Sequence, residues 1–300
     1  MWIRNKLGHM ALVLVILGAI FIRVCSSPGS PAIVDANKNV YVISQEGNVY
    51  GTIATFLDKA VENKVDNFIL FVHGRGNHPK KAFDKKLIYG LEKDYSAKVM
   101  MFHWCSCSSW FGYPEDQARF AAKYLYGVLQ SIKKYRNAKK TNMKFTLLTH
   151  SMGSIVLEET LLKFYKRPLG KLFDTLVINA PCSEGKNHVS WVDKIDFANE
   201  VYIVFNKNDV VLGSAGLQTG ARRLGRGLEN RRGQKFVLAN NVLYIDVTKT
   251  GVNHRYYLGN SPQSHLGKFF HLVLNGEVAK LVKGDNVVEI VRDKVYVLKK

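Results

Sequence analysis

Lys144-Phe145-Thr146-Leu147-Leu148-Thr149-His150-Ser151-Met152-Gly153 reads as a strand running into a sharp turn, and Ile155 to Phe164 behind it reads as a helix. A serine at such a strand-to-helix turn is lifted clear of the sheet edge. The N–H of the next residue, Met152, and the start of the helix then face any negative charge that forms there. The residue two before the serine is commonly glycine, because side chains flanking the turn nearly collide. Here it is the β-branched Thr149, and only Gly153 is a glycine. By itself the turn also fits an ordinary strand-to-helix connection with a surface serine.

Upstream, Asn67-Phe68-Ile69-Leu70-Phe71-Val72 is the continuous apolar run expected of a strand buried on both faces of a parallel sheet. It ends in His73-Gly74-Arg75-Gly76, and glycines at a strand end let the backbone approach a ligand closely. A backbone N–H from this loop, that of Arg75, pairs with that of Met152 as an expected oxyanion hole. The bland alternative is a glycine-rich loop that only turns.

Serine needs a general base to be nucleophilic near neutral pH, and the base needs a partner that fixes its tautomer. In doubly wound hydrolases the acid and then the histidine follow the serine along the chain. Val201 to Phe205 reads as a strand, with Asn206-Lys207-Asn208-Asp209 as its loop. Asn241 to Val247 reads as another, with His254 in the loop beyond it. Ser151, Asp209 and His254 therefore stand in order, each at the carboxyl end of a strand. His265, further along, competes as the base. His73, His103 and His150 read as strand-end histidines that satisfy a hydrogen bond. Asp193 and Asp196 precede the strand that Asp209 follows, which puts them at the opposite edge, and Asp246 lies at or inside its own strand.

Taken together, Phe71-Val72-His73-Gly74, Met101-Phe102-His103-Trp104, Thr149 to Gly153, Asn208-Asp209 with Leu212 and Ser214, and His254-Arg255-Tyr256-Tyr257 resemble a group of bacterial α/β-hydrolases of unknown function. The resemblance spans roughly residues 65–275. It implies Ser151, Asp209 and His254 as the triad, and it favours His254 over His265 because aromatics follow the family's base at that spacing. It implies no substrate. Cys105 after Trp104 departs from the pattern, where relatives tend to have proline.

The chain has 300 residues, enough for one sizeable core, with an ordinary hydrophobic content of 47%. Strands alternate with helical stretches at residues 52–62, 79–93, 114–134, 151–166 and 263–275. That alternation argues for an α/β fold: a doubly wound, mostly parallel sheet with helices on both faces. An early strand is expected at 39–43 and a hairpin at 287–298, turned at Arg292-Asp293-Lys294. The expected division is an N-terminal segment at 1–30, an α/β-hydrolase domain at 31–280 and a hairpin extension at 281–300.

In the N-terminal segment, Arg4 and Lys6 precede an apolar run from Met10 to Ile22, followed by Arg23-Val24-Cys25-Ser26-Ser27. A basic start and a short apolar run have the shape of an export signal, while a spanning helix needs about 20 residues. Three readings stay open: an uncleaved membrane anchor, a lipoprotein processed at Cys25, and a buried helix. The first two place the body in a bacterial cell envelope, on the periplasmic side. Cys105 or Cys107 with Cys182 could form one disulfide in an oxidising space. A metal site is not expected, because the Cys-x-Cys pair lacks a second pair at zinc spacing.

Lys and Arg number 43 against 24 acids, a net charge of +19. Arg222, Arg223 and Arg226, with Arg231, Arg232 and Lys235 nearby, form the densest basic stretch. It reads either as a solvated face or as an attraction to an anionic surface such as lipid headgroups. No nucleic-acid motif accompanies it. Trp104 and Tyr256 are the expected substrate-binding aromatics, and the loop from Trp110 to Pro114 reads as part of a lid. The functional expectation is a serine hydrolase of carboxylic esters or thioesters, lipid-like among them, without cofactor or metal. A non-catalytic anchored binding protein and an acyltransferase using the same triad are the alternatives.

Overall fold

The apolar run ending at Val72 forms a strand in which every residue but Asn67 is buried, and it lies inside a ten-stranded sheet. The computed structural model describes residues 31–34, 40–43, 49–76, 85–106, 113–139, 142–281, 289–292 and 294–299. The strands are β1 (Ala32–Val34), β2 (Val40–Val42), β3 (Asn67–Val72), β4 (Lys98–His103), β5 (Lys144–His150), β6 (Phe173–Asn179), β7 (Ala198–Phe205), β8 (Leu243–Lys249), β9 (Glu289–Arg292) and β10 (Val295–Lys299). Their order is β2-β1-β4-β3-β5-β6-β7-β8-β10-β9. The seven strands from β4 to β10 in that order run parallel. β1 and β2 at one edge and β9 at the other are antiparallel additions.

Parallel strands buried on both faces need apolar residues throughout rather than in alternation, as Phe68 to Val72 and Leu176 to Ile178 supply. Helices α1 (Tyr50–Glu62), α3 (Glu115–Ala138) and α4 (Gly153–Glu159) form one packed group, with α3 touching both others. Helices α2 (Lys85–Tyr95) and α7 (His265–Leu274) form a second, in which α7 also packs on β5, β6 and β10. The long α3 buries Ala118, Ala121, Ala122, Leu125, Val128, Leu129 and Ile132, a stripe at helical spacing. Short α5 (Val189–Val192) and α6 (Val210–Thr219) complete the set.

Two elements differ from expectation. β1 was not expected; its three residues are too few to carry a period. The helix expected at 151–166 breaks into α4 and a π-helical turn, Thr160–Phe164. There the buried Thr160 hydroxyl bonds the carbonyls of Val156, at 2.7 Å, and Ala122, at 3.0 Å, which disturbs the regular ladder. The C-terminal hairpin extends the same sheet, with β10 beside β8.

Residues 1–30, with the expected signal or anchor and Cys25, lie outside the described residues, as do 77–84, 107–112, 287, 288 and 293. Among the described residues no helix is long and apolar enough to cross a membrane.

Candidate active site

Parallel strands all end on one edge of a sheet, so the chain segments leaving β3, β5, β7 and β8 meet there. Ser151 leaves β5 with φ +52°, a left-handed conformation that non-glycine residues adopt only when the surroundings hold it. Its N–H donates to Asn179 O at the end of β6. Its carbonyl accepts from the Ser154 hydroxyl at 2.8 Å and from the Cys182 N–H at 3.1 Å. Both sides of the turn are closely approached by β3. A Cβ on Gly153 would stand 2.4 Å from Val72 O, and one on Gly74 would stand 2.7 Å from Ser151 Cβ. Those two glycines let the His73–Gly76 loop lie against the serine. Among the described residues no acceptor takes the Met152 N–H.

Asp209 leaves β7 and caps α6: its Oδ1 accepts from the Leu212 N–H at 3.0 Å. Its Oδ2 accepts from His254 Nδ1 at 2.8 Å and from the Tyr256 hydroxyl at 2.5 Å. Burial works to raise this carboxyl's pKa, but the bonds and charge from His254, Tyr256 and Leu212 outweigh it and hold Asp209 below its ordinary value. With Nδ1 given to Asp209, the His254 ring keeps Nε2 as its second polar atom. The ring packs on that of His150, the residue before the serine, with centroids 4.7 Å apart. Asn179, fully buried, bridges the two: its amide nitrogen lies 3.2 Å from His150 Nδ1 and 3.5 Å from His254 O.

His73, His103 and His150 are held neutral. His73 sits with Nδ1 2.7 Å from Gly74 O, while Nε2 meets His103 Nδ1 at 3.1 Å and the Trp104 N–H at 3.3 Å. Burial, and then the like charge of His103, push His73 down to about 3, and burial pushes His103 to about 4. Burial and then the neighbouring charge of His254 push His150 well below its usual value. His265 opens α7 with a buried Nδ1 that has no hydrogen-bond partner, apart from the Asp209 network.

The structure therefore brings Ser151, Asp209 and His254 to one sheet edge, with Met152 following the serine and Arg75 following Gly74. It corrects other expectations. Trp104 and Tyr256 offer no surface to a substrate, since both are fully buried. The Trp104 indole donates to His73 O at 2.8 Å, holding the β3 and β4 ends together, and Tyr256 serves Asp209. Cys182 carries a free thiol 3.0 Å from the Tyr113 hydroxyl, so no disulfide reaches it. The basic stretch is not a simple solvated face: Arg223 is only 4% exposed, and Arg222 and Arg226 are partly buried. Among the described residues no cluster of His, Cys, Asp and Glu could hold a metal. Sequence reasoning missed Asn179 and the role of Tyr256; an asparagine ending an apolar strand was the only available signal for the first.

A family model described as "Alpha/beta hydrolase of unknown function (DUF900)" matches residues 51–265. No curated protein matches the chain. Among solved structures, a predicted CIB-like hydrolase from Thermoplasma acidophilum is 13% identical, covering 71% of this chain and 86% of its own, at a TM-score of 0.37. A hyperthermophilic esterase from Pyrobaculum calidifontis is 12% identical, with 69% and 75% covered and a TM-score of 0.37. Carboxyl esterase 2 from Tuber melanosporum is 15% identical, with 69% and 76% covered and a TM-score of 0.40.

Proposed function

Since the chain belongs to this family of alpha/beta hydrolases of unknown function, we propose that it is a serine hydrolase of carboxylic esters or thioesters. The observation that carries the reading is the 2.8 Å bond between His254 Nδ1 and Asp209, held at the sheet edge where Ser151 takes its left-handed turn. His254 Nε2 removes the Ser151 proton as the serine oxygen attacks the acyl carbon. Asp209 keeps the imidazole in the tautomer that does this and stabilises the imidazolium. The carbonyl oxygen, now negative, takes hydrogen bonds from the Met152 and Arg75 N–H groups. Collapse expels the alcohol or thiol, which leaves with the proton from His254. Water then attacks the acyl-serine, giving its proton to His254, and the acid is released with Ser151 restored.

Support for the oxyanion assignment is the unused Met152 N–H and the contact of Gly74 with Ser151. The test is labelling with a fluorophosphonate, which reacts with base-activated serines. Wild type is expected to label, and Ser151→Ala and His254→Ala are not. A folded wild type that resists the probe, or an alanine variant at 151 that still labels, would overturn the reading.

A further inference from the structure

Four arginines converge on a cavity of about 330 Å³ beside α6, lined by Arg222, Arg223, Arg226 and Arg231 with Leu212 and Leu217 as apolar wall. That volume is at the lower end for ligand pockets. Each guanidinium is steered by neutral oxygens of the protein. Arg223 donates from Nη1 to Cys182 O at 2.9 Å and from Nη2 to the Thr219 hydroxyl. Arg222 Nη2 donates to Arg226 O at 2.7 Å. Arg226 donates from Nε and Nη2 to Lys207 O, at 3.0 and 2.6 Å. Arg231 Nη2 donates to Gly216 O at 3.0 Å.

Two features of this arrangement call for a ligand. First, among the described residues no carboxylate lies within ion-pair distance of any of the four. The field of Glu229 reaches Arg222, but burial and the like charges of Arg226 and Arg231 outweigh it and lower the Arg222 pKa. Like charges gathered without a counter-charge destabilise a fold unless something anionic joins them. Second, the Nε–H groups of Arg222 and Arg223 are buried without a hydrogen-bond partner, and Arg223 is more than nine-tenths buried. A buried orphan donor is costly, and more so when it belongs to a charged group. Gly213 leaves room for this packing: a Cβ there would stand 2.2 Å from Arg226 Nη1, and the guanidinium would have to shift.

We propose that this cavity binds a phosphate-type oxyanion, either the phosphate of a lipid headgroup or that of a soluble phosphate ester. Guanidinium groups match phosphate oxygens in geometry and charge, and several of them suit a group with more than one negative charge. The backbone of Cys182 links the site to the serine turn: its carbonyl accepts from Arg223 and its N–H donates to the Ser151 carbonyl. The proposal is independent of ester hydrolysis and stands or falls by binding.

The experiment is calorimetric titration of the full chain with inorganic phosphate at constant ionic strength, comparing wild type, Arg222→Gln and the exposed-position variant Arg231→Gln. Vesicles of phosphatidylglycerol and of phosphatidylcholine form the second arm. Saturable phosphate binding is expected in wild type, weakened about tenfold in each variant, the loss of one charged hydrogen bond. Phosphatidylglycerol binding that phosphate competes away assigns the headgroup as source. Phosphate binding with no vesicle binding assigns a soluble ester. Arg231→Gln keeps the test decisive if Arg222→Gln does not fold. No saturable phosphate binding in folded wild type, equal binding in the variants, or vesicle binding indifferent to both phosphate and Arg222→Gln would overturn the proposal.

Discussion

The Tyr256 hydroxyl lies 2.5 Å from Asp209 Oδ2, the same oxygen that accepts from His254 Nδ1. A carboxylate oxygen with two donors is held more firmly than one with a single donor, and the tyrosine ring, fully buried, cannot swing away. Tyr256 therefore helps to hold the Asp209 carboxylate in place. Tyr256→Phe keeps the ring and removes one bond to a charged group. The expected result, measured on an activated ester, is a fall in kcat of about tenfold with KM little changed. A purely structural role would instead lower stability and leave kcat intact.

Thr149 stands where a glycine is usual two residues before a nucleophilic serine, and it lies inside the sheet. It is the sixth residue of β5, paired in register with Val72 and Ile178, and it has no exposed surface. Its methyl group packs, but its hydroxyl has no partner. Thr149→Val keeps the shape and removes the orphan. The expected gain is about 1 kcal/mol in urea unfolding, with fluorophosphonate labelling unchanged. A loss of stability would mean that the hydroxyl is bonded in solution.

Gly153 and Gly51 make a paired test of where glycine is required. A Cβ at 153 meets Val72 O and His73 O, backbone atoms that cannot step aside, whereas one at 51, in the first turn of α1, meets nothing within 4 Å. Gly153→Ala is expected to cost about 3 kcal/mol or more and to abolish labelling, because the elbow must move off β3. Gly51→Ala is expected to stabilise by about 0.5–1 kcal/mol. Urea denaturation of both variants checks the contrast.

Much of this was legible because the signals were local. An unbroken apolar run fixed β3, and the Asp209 cap fits the preference for aspartate before a helix. The order of serine, acid and histidine followed from where each strand ended. What escaped depends on partners distant in sequence. Arg223 reads as solvent-facing because arginine usually is, yet its bonds to Cys182 O and Thr219 bury it. Tyr256 reads as a pocket aromatic because nothing in the chain reveals that its hydroxyl meets a carboxylate 47 residues earlier. The π turn at Thr160 depends on the Ala122 carbonyl of α3, which helical periodicity cannot register.

The neutral histidines around the elbow set the response to acid. Burial, above all, holds His73 at a folded-state pKa of about 3, against its ordinary value of 6.5. The folded state therefore binds its proton less readily than the unfolded one. Its contribution is fully present above pH 6.5 and is lost as pH falls from 6.5 toward 3. His103, at about 4, and His150, well below its usual value, act with the same sign. Asp209, lowered by its donors, adds a further loss only at lower pH, as its folded-state pKa is crossed. At pH 5, 1.5 units below 6.5, His73 alone would contribute a loss of about 2 kcal/mol. Urea unfolding at pH 7 and pH 5 is expected to show that loss or more, and His103→Asn, which removes that histidine's own contribution, is expected to reduce the difference. Equal stability at the two pH values would show that the His73–His103 pair accepts a proton in the folded state.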